Sequence, residues 1–158
     1  MRLNINYGWV LAVLLIGAGM RVEANNISLA NVGLTKQDLI QSNVMVTFDI
    51  AWSNSWRGSE NWDAAWVFVK FRAPGSNHWE HAQLATVNAA HAPVTGSTID
   101  AVPDGKGVFL YRSAGYTGDV SYAGTQIRWN YGSNGYGFAK GALVEVSVHA
   151  IEMVYIPQ

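Results

Sequence analysis

Four of the chain's seven tryptophans stand within fifteen residues, in the run Trp52-Ser-Asn-Ser-Trp56-Arg57-Gly-Ser-Glu-Asn-Trp62-Asp63-Ala-Ala-Trp66. Asn54, Arg57, Glu60, Asn61 and Asp63 lie between the rings. Rings that stack on an apolar ligand face, beside side chains that hydrogen-bond its polar groups, are what recognition of a sugar requires. A structural role suits the same window: Trp52 and Trp66 as core anchors, with Arg57 laid against a ring. Trp56 and Trp62 fall in the loop expected between two strands. With Arg57 and Asp63 they form the first candidate contact set. Trp129, Tyr131, Tyr136 and Phe138 surround a second, glycine-rich loop, where glycine permits close approach of a ligand. Trp129 and Tyr136 are the candidates there, against the alternative of a solvent-exposed hairpin whose rings merely cover its edge.

Other chemistries find less support. His78-Trp79-Glu80-His81 has two histidines three apart, which point to opposite faces of a strand, and the zinc motif H-E-x-x-H needs a helix. His91 and His149 stand alone. Asp100, Asp104 and Asp119 lie near Gly or Ser, as calcium loops often do, but none opens the D-x-[DN]-x-[DN]-G pattern. There is no cysteine, no G-x-S-x-G elbow and no phosphate-binding glycine loop. The expectation is therefore no enzyme, no catalytic residue, no metal and no cofactor. Two carboxylates meeting in space, as a glycosidase needs, are not readable from spacing.

The elements that must position these residues are strands. In Val44–Trp52, Val44, Val46, Phe48, Ile50 and Trp52 share one face, and a period of two is the strand signature. In Ala64–Arg72 both alternating sets are partly apolar, which predicts a strand central in its sheet. Further strands are expected at 27–34, 79–86, 107–113, 120–122, 126–131 and 143–155, with a slip near Glu152. Residues 87–104 read as an irregular crossover, and 35–42 as the only plausible helical turn. Turn signals at Ala73-Pro74-Gly75 and Pro103-Asp104-Gly105 separate neighbours. About eight antiparallel strands without intervening helices predict an all-β fold. This is an antiparallel β-sandwich of immunoglobulin/fibronectin-like or jelly-roll-like form, with a closed barrel as the alternative.

Length and composition agree with one such domain. The chain has 158 residues, 49% hydrophobic and 13% charged, and a formal charge of −1. Disordered chains are poorer in apolar residues, and nucleic-acid binders carry a basic field, so both classes are excluded. Arg2, the apolar run from Trp9 to Ile16 and Val22-Glu23-Ala24 predict a secretory signal over 1–24, with an uncleaved membrane anchor as the alternative. Residues 25–158 then form the single domain, secreted, at a cell surface or in a periplasm, touching a membrane only if the signal is retained.

The strings Trp52-Ser-Asn-Ser-Trp-Arg57, Asn61-Trp-Asp-Ala-Ala-Trp-Val-Phe-Val-Lys-Phe-Arg72, Asp104-Gly-Lys-Gly-Val-Phe-Leu-Tyr-Arg112, Gln126-Ile-Arg-Trp-Asn-Tyr131 and Val146-Ser-Val-His-Ala-Ile-Glu-Met-Val-Tyr-Ile-Pro157 resemble the amino-terminal β-domain of secreted bacterial proteins that carry a formylglycine-generating-enzyme, or sulfatase-modifying-factor, module. That module's catalytic residues have no counterpart in this chain, so the resemblance implies an accessory domain without activity. The expected function is a non-catalytic binding module whose tryptophan-rich loops contact a neighbouring extracellular protein domain or a carbohydrate. The alternative is a structural subunit that self-associates through its long C-terminal strand; a small glycan-active enzyme is a distant third.

Overall fold

The computed structural model describes residues 26–154, so the expected signal segment and the end of the last expected strand lie outside the described residues. Alternating apolar side chains build eight strands in that span: β1 (Ser28–Asp38), β2 (Asn43–Arg57), β3 (Asp63–Arg72), β4 (Glu80–His81), β5 (Ser97–Ala101), β6 (Val108–Arg112), β7 (Tyr116–Trp129) and β8 (Glu145–Val154). β1, β2 and β7 form one antiparallel sheet in the order β1-β2-β7. The second sheet runs β4-β3-β6-β5, with β8 on the other side of β3. β3 is thus hydrogen-bonded along both edges, as its two apolar faces suggested. The sheets face each other as an antiparallel β-sandwich. Its core sets Val46, Phe48, Ile50, Trp52, Ile127 and Trp129 against Ala65, Val67, Val69, Phe71, Val108 and Leu110.

Where strands differ from expectation, bulges are the main reason. The two strands expected at 120–122 and 126–131 are one strand, β7, which ends at Trp129, with Tyr131 opening a short 3-10 turn. Its pairing with β2 shifts register at Ala123-Gly124, so inward residues change from Val120 and Tyr122 to Thr125, Ile127 and Trp129. A parity change reads as a break in sequence. β2 likewise runs past Trp52 to Arg57 through a bulge at Ser53-Asn54, where Asn54 adopts φ 57°. That extra residue turns Ser55 inward and Trp56 outward, the reverse of unbroken alternation. Two aspartates, Asp49 half-buried and Asp119 exposed, hold these irregularities. Asp49 accepts the Gly124 N–H at 2.7 Å and the Asn31 side-chain amide at 2.6 Å, and Asp119 accepts the Asn54 N–H at 3.0 Å. Those donors lower the Asp49 pKa, the Asn31 amide most.

Three other expectations are corrected. The 79–86 strand shrinks to Glu80–His81 because the chain there crosses between sheets: Ala82 N–H bonds Val69 in one, Ala85 N–H bonds Arg128 in the other. The crossover 87–104 contains β5, whose alternation is only five residues long. Residues 35–42 are not helical; β1 continues to Asp38, whose carboxylate caps the following turn by accepting N–H groups of Ile40 and Gln41. β8 shows no slip at Glu152: its register with β3 is unbroken from Glu145 to Val154.

Candidate functional site

The tryptophan-rich window is a corner where the chain leaves one sheet and enters the other. A tight turn, closed by the Gly58 N–H on the Asn61 carbonyl at 2.8 Å, brings Arg57 and Trp62 into a bridge. Beneath it lies Asp63, 1% exposed. Its carboxylate accepts the Trp52 indole N–H at 2.6 Å, the Ser55 hydroxyl at 3.0 Å and the Trp56 backbone N–H at 2.9 Å. A buried carboxylate with three donors is a structural tie between β2 and β3, so Asp63 does not belong to a contact surface. Trp52 is also interior, edge-on to Tyr122.

Outside the corner, Trp62 stacks on Tyr111 of β6 with centroids 5.7 Å apart, and the Arg57 guanidinium sits 5.0 Å from both rings. Arg57 also donates to the Arg112 carbonyl. The Tyr111 hydroxyl donates to Asp100 of β5 at 2.5 Å. Burial, reinforced by that bond, pushes the Tyr111 pKa up to about 12, so the phenol remains a donor at neutral pH. Beside this cluster opens a groove of about 350 Å³ walled by Trp62, Ala64, Asp100, Phe109, Tyr111, Met153 and Val154. Trp56 is half-buried in β2, opposite Thr117, and is not part of the groove.

The groove continues onto the outer face of the second sheet. With Val67 and Val69 inward, Trp66 and Phe68 point outward, and pairing sets Trp66 beside Phe109 and Ile151, Phe68 beside His149. Phe68 stacks between His149 at 5.0 Å and His81 at 5.6 Å. Gly107 has a steric reason: a β-carbon there would come within 2.2 Å of the Trp66 indole nitrogen. Ile151 and Met153, each about half exposed, continue this face along β8, and Val154 beside them is equally exposed. Sequence reasoning did not select Trp66 as a contact residue, nor Phe68, Phe109, Tyr111 or Ile151. The usable signal was the apolar set left on β3 once its core face had been assigned.

The second aromatic group is split. Trp129 is fully buried against Phe71 and Tyr131, so it belongs to the core and not to a contact surface; its indole N–H is satisfied by Asn134 at 3.0 Å. Period two along β7, read through its bulge, requires this inward placement. Tyr136 is half-buried, stacks on Phe138 and donates to Glu80, the main cause of its raised pKa. The glycine-rich loop folds over the sandwich end and, with β1, encloses a separate cavity of about 270 Å³ floored by Trp129, Tyr131 and Phe138. Trp129 and Tyr136 are therefore far in role from Trp62.

Among the described residues no three His, Asp or Glu side chains converge as a metal site would require. His91 has a backbone task. Its Nδ1 accepts the Arg128 N–H at 3.1 Å and its Nε2–H donates to the Ala85 carbonyl at 3.0 Å, with burial lowering its pKa. No family model, curated protein or solved structure matches this chain.

Proposed function

We propose that this chain is a secreted, non-catalytic β-sandwich module that binds a neighbouring protein domain through the outer face of its second sheet, from the Trp62–Tyr111 corner to Ile151 on β8. Export rests on Arg2, the apolar run 9–16 and the small residues at Val22 and Ala24. The accessory role rests on the resemblance of the tryptophan string and of β3 to the domain that precedes sulfatase-modifying-factor modules. The observation that favours protein over glycan is ring orientation. Phe68 and His149 lie 5.0 Å apart and within 10° of parallel, on adjacent strands. Strands are spaced about 4.8 Å, so rings stacked at that distance stand upright on the sheet and offer edges outward. Sugars stack on ring faces, whereas a half-exposed row of Ile151, Met153 and ring edges suits apolar protein contact.

Binding measured on a panel of extracellular proteins and glycans tests this. Trp62→Ala and Ile151→Asp should each abolish protein binding, while Val87→Asp, an exposed change on another surface, leaves it intact. Undiminished binding by the first two variants, with unfolding transitions unchanged, would overturn the assignment, as would capture of glycans alone.

A second reading, assembly from copies of the chain, is favoured by the edge of β8. Its ten residues pair with β3 without a bulge, and among the described residues nothing pairs with its other edge. Such an edge can accept another strand. Light scattering separates the two readings: a concentration-dependent rise in mass supports assembly, and a monomer removes it.

A further inference from the structure

The groove beside Trp62 has a chemistry more specific than apolar contact. Three of its walls are aromatic (Trp62, Phe109 and Tyr111), three are aliphatic or thioether (Ala64, Met153 and Val154), and one is charged, the carboxylate of Asp100. That carboxylate accepts the Tyr111 hydroxyl on one oxygen and the Asn88 side-chain amide at 2.9 Å on the other. Neither donor is ionic, and Asp100 makes no ion pair with a described cation. Each carboxylate oxygen has two lone pairs, so both retain acceptor capacity. Arg57 does not line the groove; it lies against Trp62 and Tyr111, interacts with the Tyr111 hydroxyl and donates to the Arg112 carbonyl. A carboxylate that no described cation pairs with directly, set among π-systems, selects for a cation that carries an apolar stem.

We propose that this groove receives a lysine or arginine side chain of the protein partner. The inference rests on the reading of the outer face as a contact surface. The methylene stem lies along Ala64, Met153 and Val154, the charged head reaches Asp100, and the rings of Trp62, Phe109 and Tyr111 supply cation–π attraction. Size points the same way: about 350 Å³ is near the lower end of the ~300–1,000 Å³ usual for ligand sites, room for one side chain but not for an extended oligosaccharide. The protein already treats its own arginines in this manner, with Arg72 4.7 Å from the Trp79 ring centre and Arg112 5.0 Å from that of Tyr116.

The test uses the whole chain and fluorescein-labelled pentapeptides Gly-Ser-X-Ser-Gly, read by anisotropy, with X as lysine, arginine, norleucine or glutamate. Norleucine keeps the stem and lacks the charge. Lysine and arginine peptides should bind about tenfold more tightly than norleucine, from cation–π attraction and one charge-assisted hydrogen bond; the glutamate peptide should not bind. Asp100→Asn keeps the side-chain shape and still accepts the Tyr111 hydroxyl through its oxygen, losing the bond from the Asn88 amide. It should reduce lysine binding to the norleucine level without altering norleucine binding, and Phe109→Ala should weaken both. Equal binding of lysine and norleucine, or no lysine binding by a chain with an unchanged unfolding transition, overturns the proposal. If that happens while Ile151→Asp still abolishes binding on the protein panel, only the cation site is lost; if Ile151→Asp is also silent there, the contact surface itself is wrong.

Discussion

The two flanks of the sandwich are finished in different ways. On one, the crossover between β4 and β5 seals the edges of β7 and β5. Ala92 exchanges backbone hydrogen bonds with Gln126, Ala85 N–H bonds the Arg128 carbonyl, and the His91 ring takes the Arg128 N–H. Asn88 reaches β5 by accepting the Ala101 N–H at 2.7 Å and donating to Asp100. On the other flank lie β1 and β8. β1 is blunted by two register shifts and left-handed residues at Asn31 and Lys36, a common guard against edge pairing. β8 has no bulge, ends in exposed Ile151, Met153 and Val154, and carries only Glu152 as an inward-facing charge. One flank spends a histidine and a long loop on satisfying backbone groups; the other leaves a regular apolar strand beside the aromatic groove. The two flanks therefore differ in how their outermost strands are finished, and the groove between them draws on both, with Asp100 from β5 and Met153 from β8.

Substitutions can tell the two flanks apart, and the tie between the sheets sets the scale. Asp63→Ala strands three buried donors, each costing ~1–3 kcal/mol, for an expected loss of about 3–5 kcal/mol in urea unfolding. On the sealed flank, His91→Ala leaves the Arg128 N–H and Ala85 carbonyl without partners and should cost about 2–3 kcal/mol. His91 also supplies a pH signature. Its folded-state pKa lies below the ordinary 6.5, so below that pH the unfolded chain takes up a proton that the native ring refuses. Its contribution is therefore complete above pH 6.5 and declines as pH falls toward the folded pKa. The His91→Ala variant should show a flatter stability profile between about pH 7 and pH 5; an unchanged slope would remove His91 as the cause. Asp49→Ala, which frees the bulges of β1 and β7, should lower the melting temperature less than His91→Ala does. Ile151→Asp on the open flank should change stability by less than about 0.5 kcal/mol, its effect being on binding. A large destabilisation there would mean that β8 is structural in the same sense as β7.

Much of the sandwich was legible because its core strands keep strict alternation: Val44 to Trp52 and Ala65 to Phe71 needed nothing beyond period two. What escaped were places where one residue shifts parity. Gly124 made one strand look like two, and Asn54 hid the turning of Trp56 to the outer side. β5 carries too few alternations to register, whereas the crossing at 80–85 has the composition of a strand but is held by single backbone bonds to different sheets. At the site, Arg57 and Trp62 were visible as residue types, but their partner Tyr111 is about fifty positions away and Asp100 comes from a strand that alternation did not reveal. Asp63 and Trp129 have the residue types and the near-loop positions of contact residues. The hydrogen bonds that satisfy them in the interior depend on register, which composition does not encode.

Hydroxyl-radical footprinting of the free and partner-bound chain tests most directly where contact is made. Trp62, Trp66 and Met153 should oxidise readily in the free protein and become protected on binding, while Trp52 and Trp129 stay unreactive until the chain unfolds. Protection at the opposite end, at Ile40 and Leu143, with Trp62 and Met153 still reactive, would contradict the account.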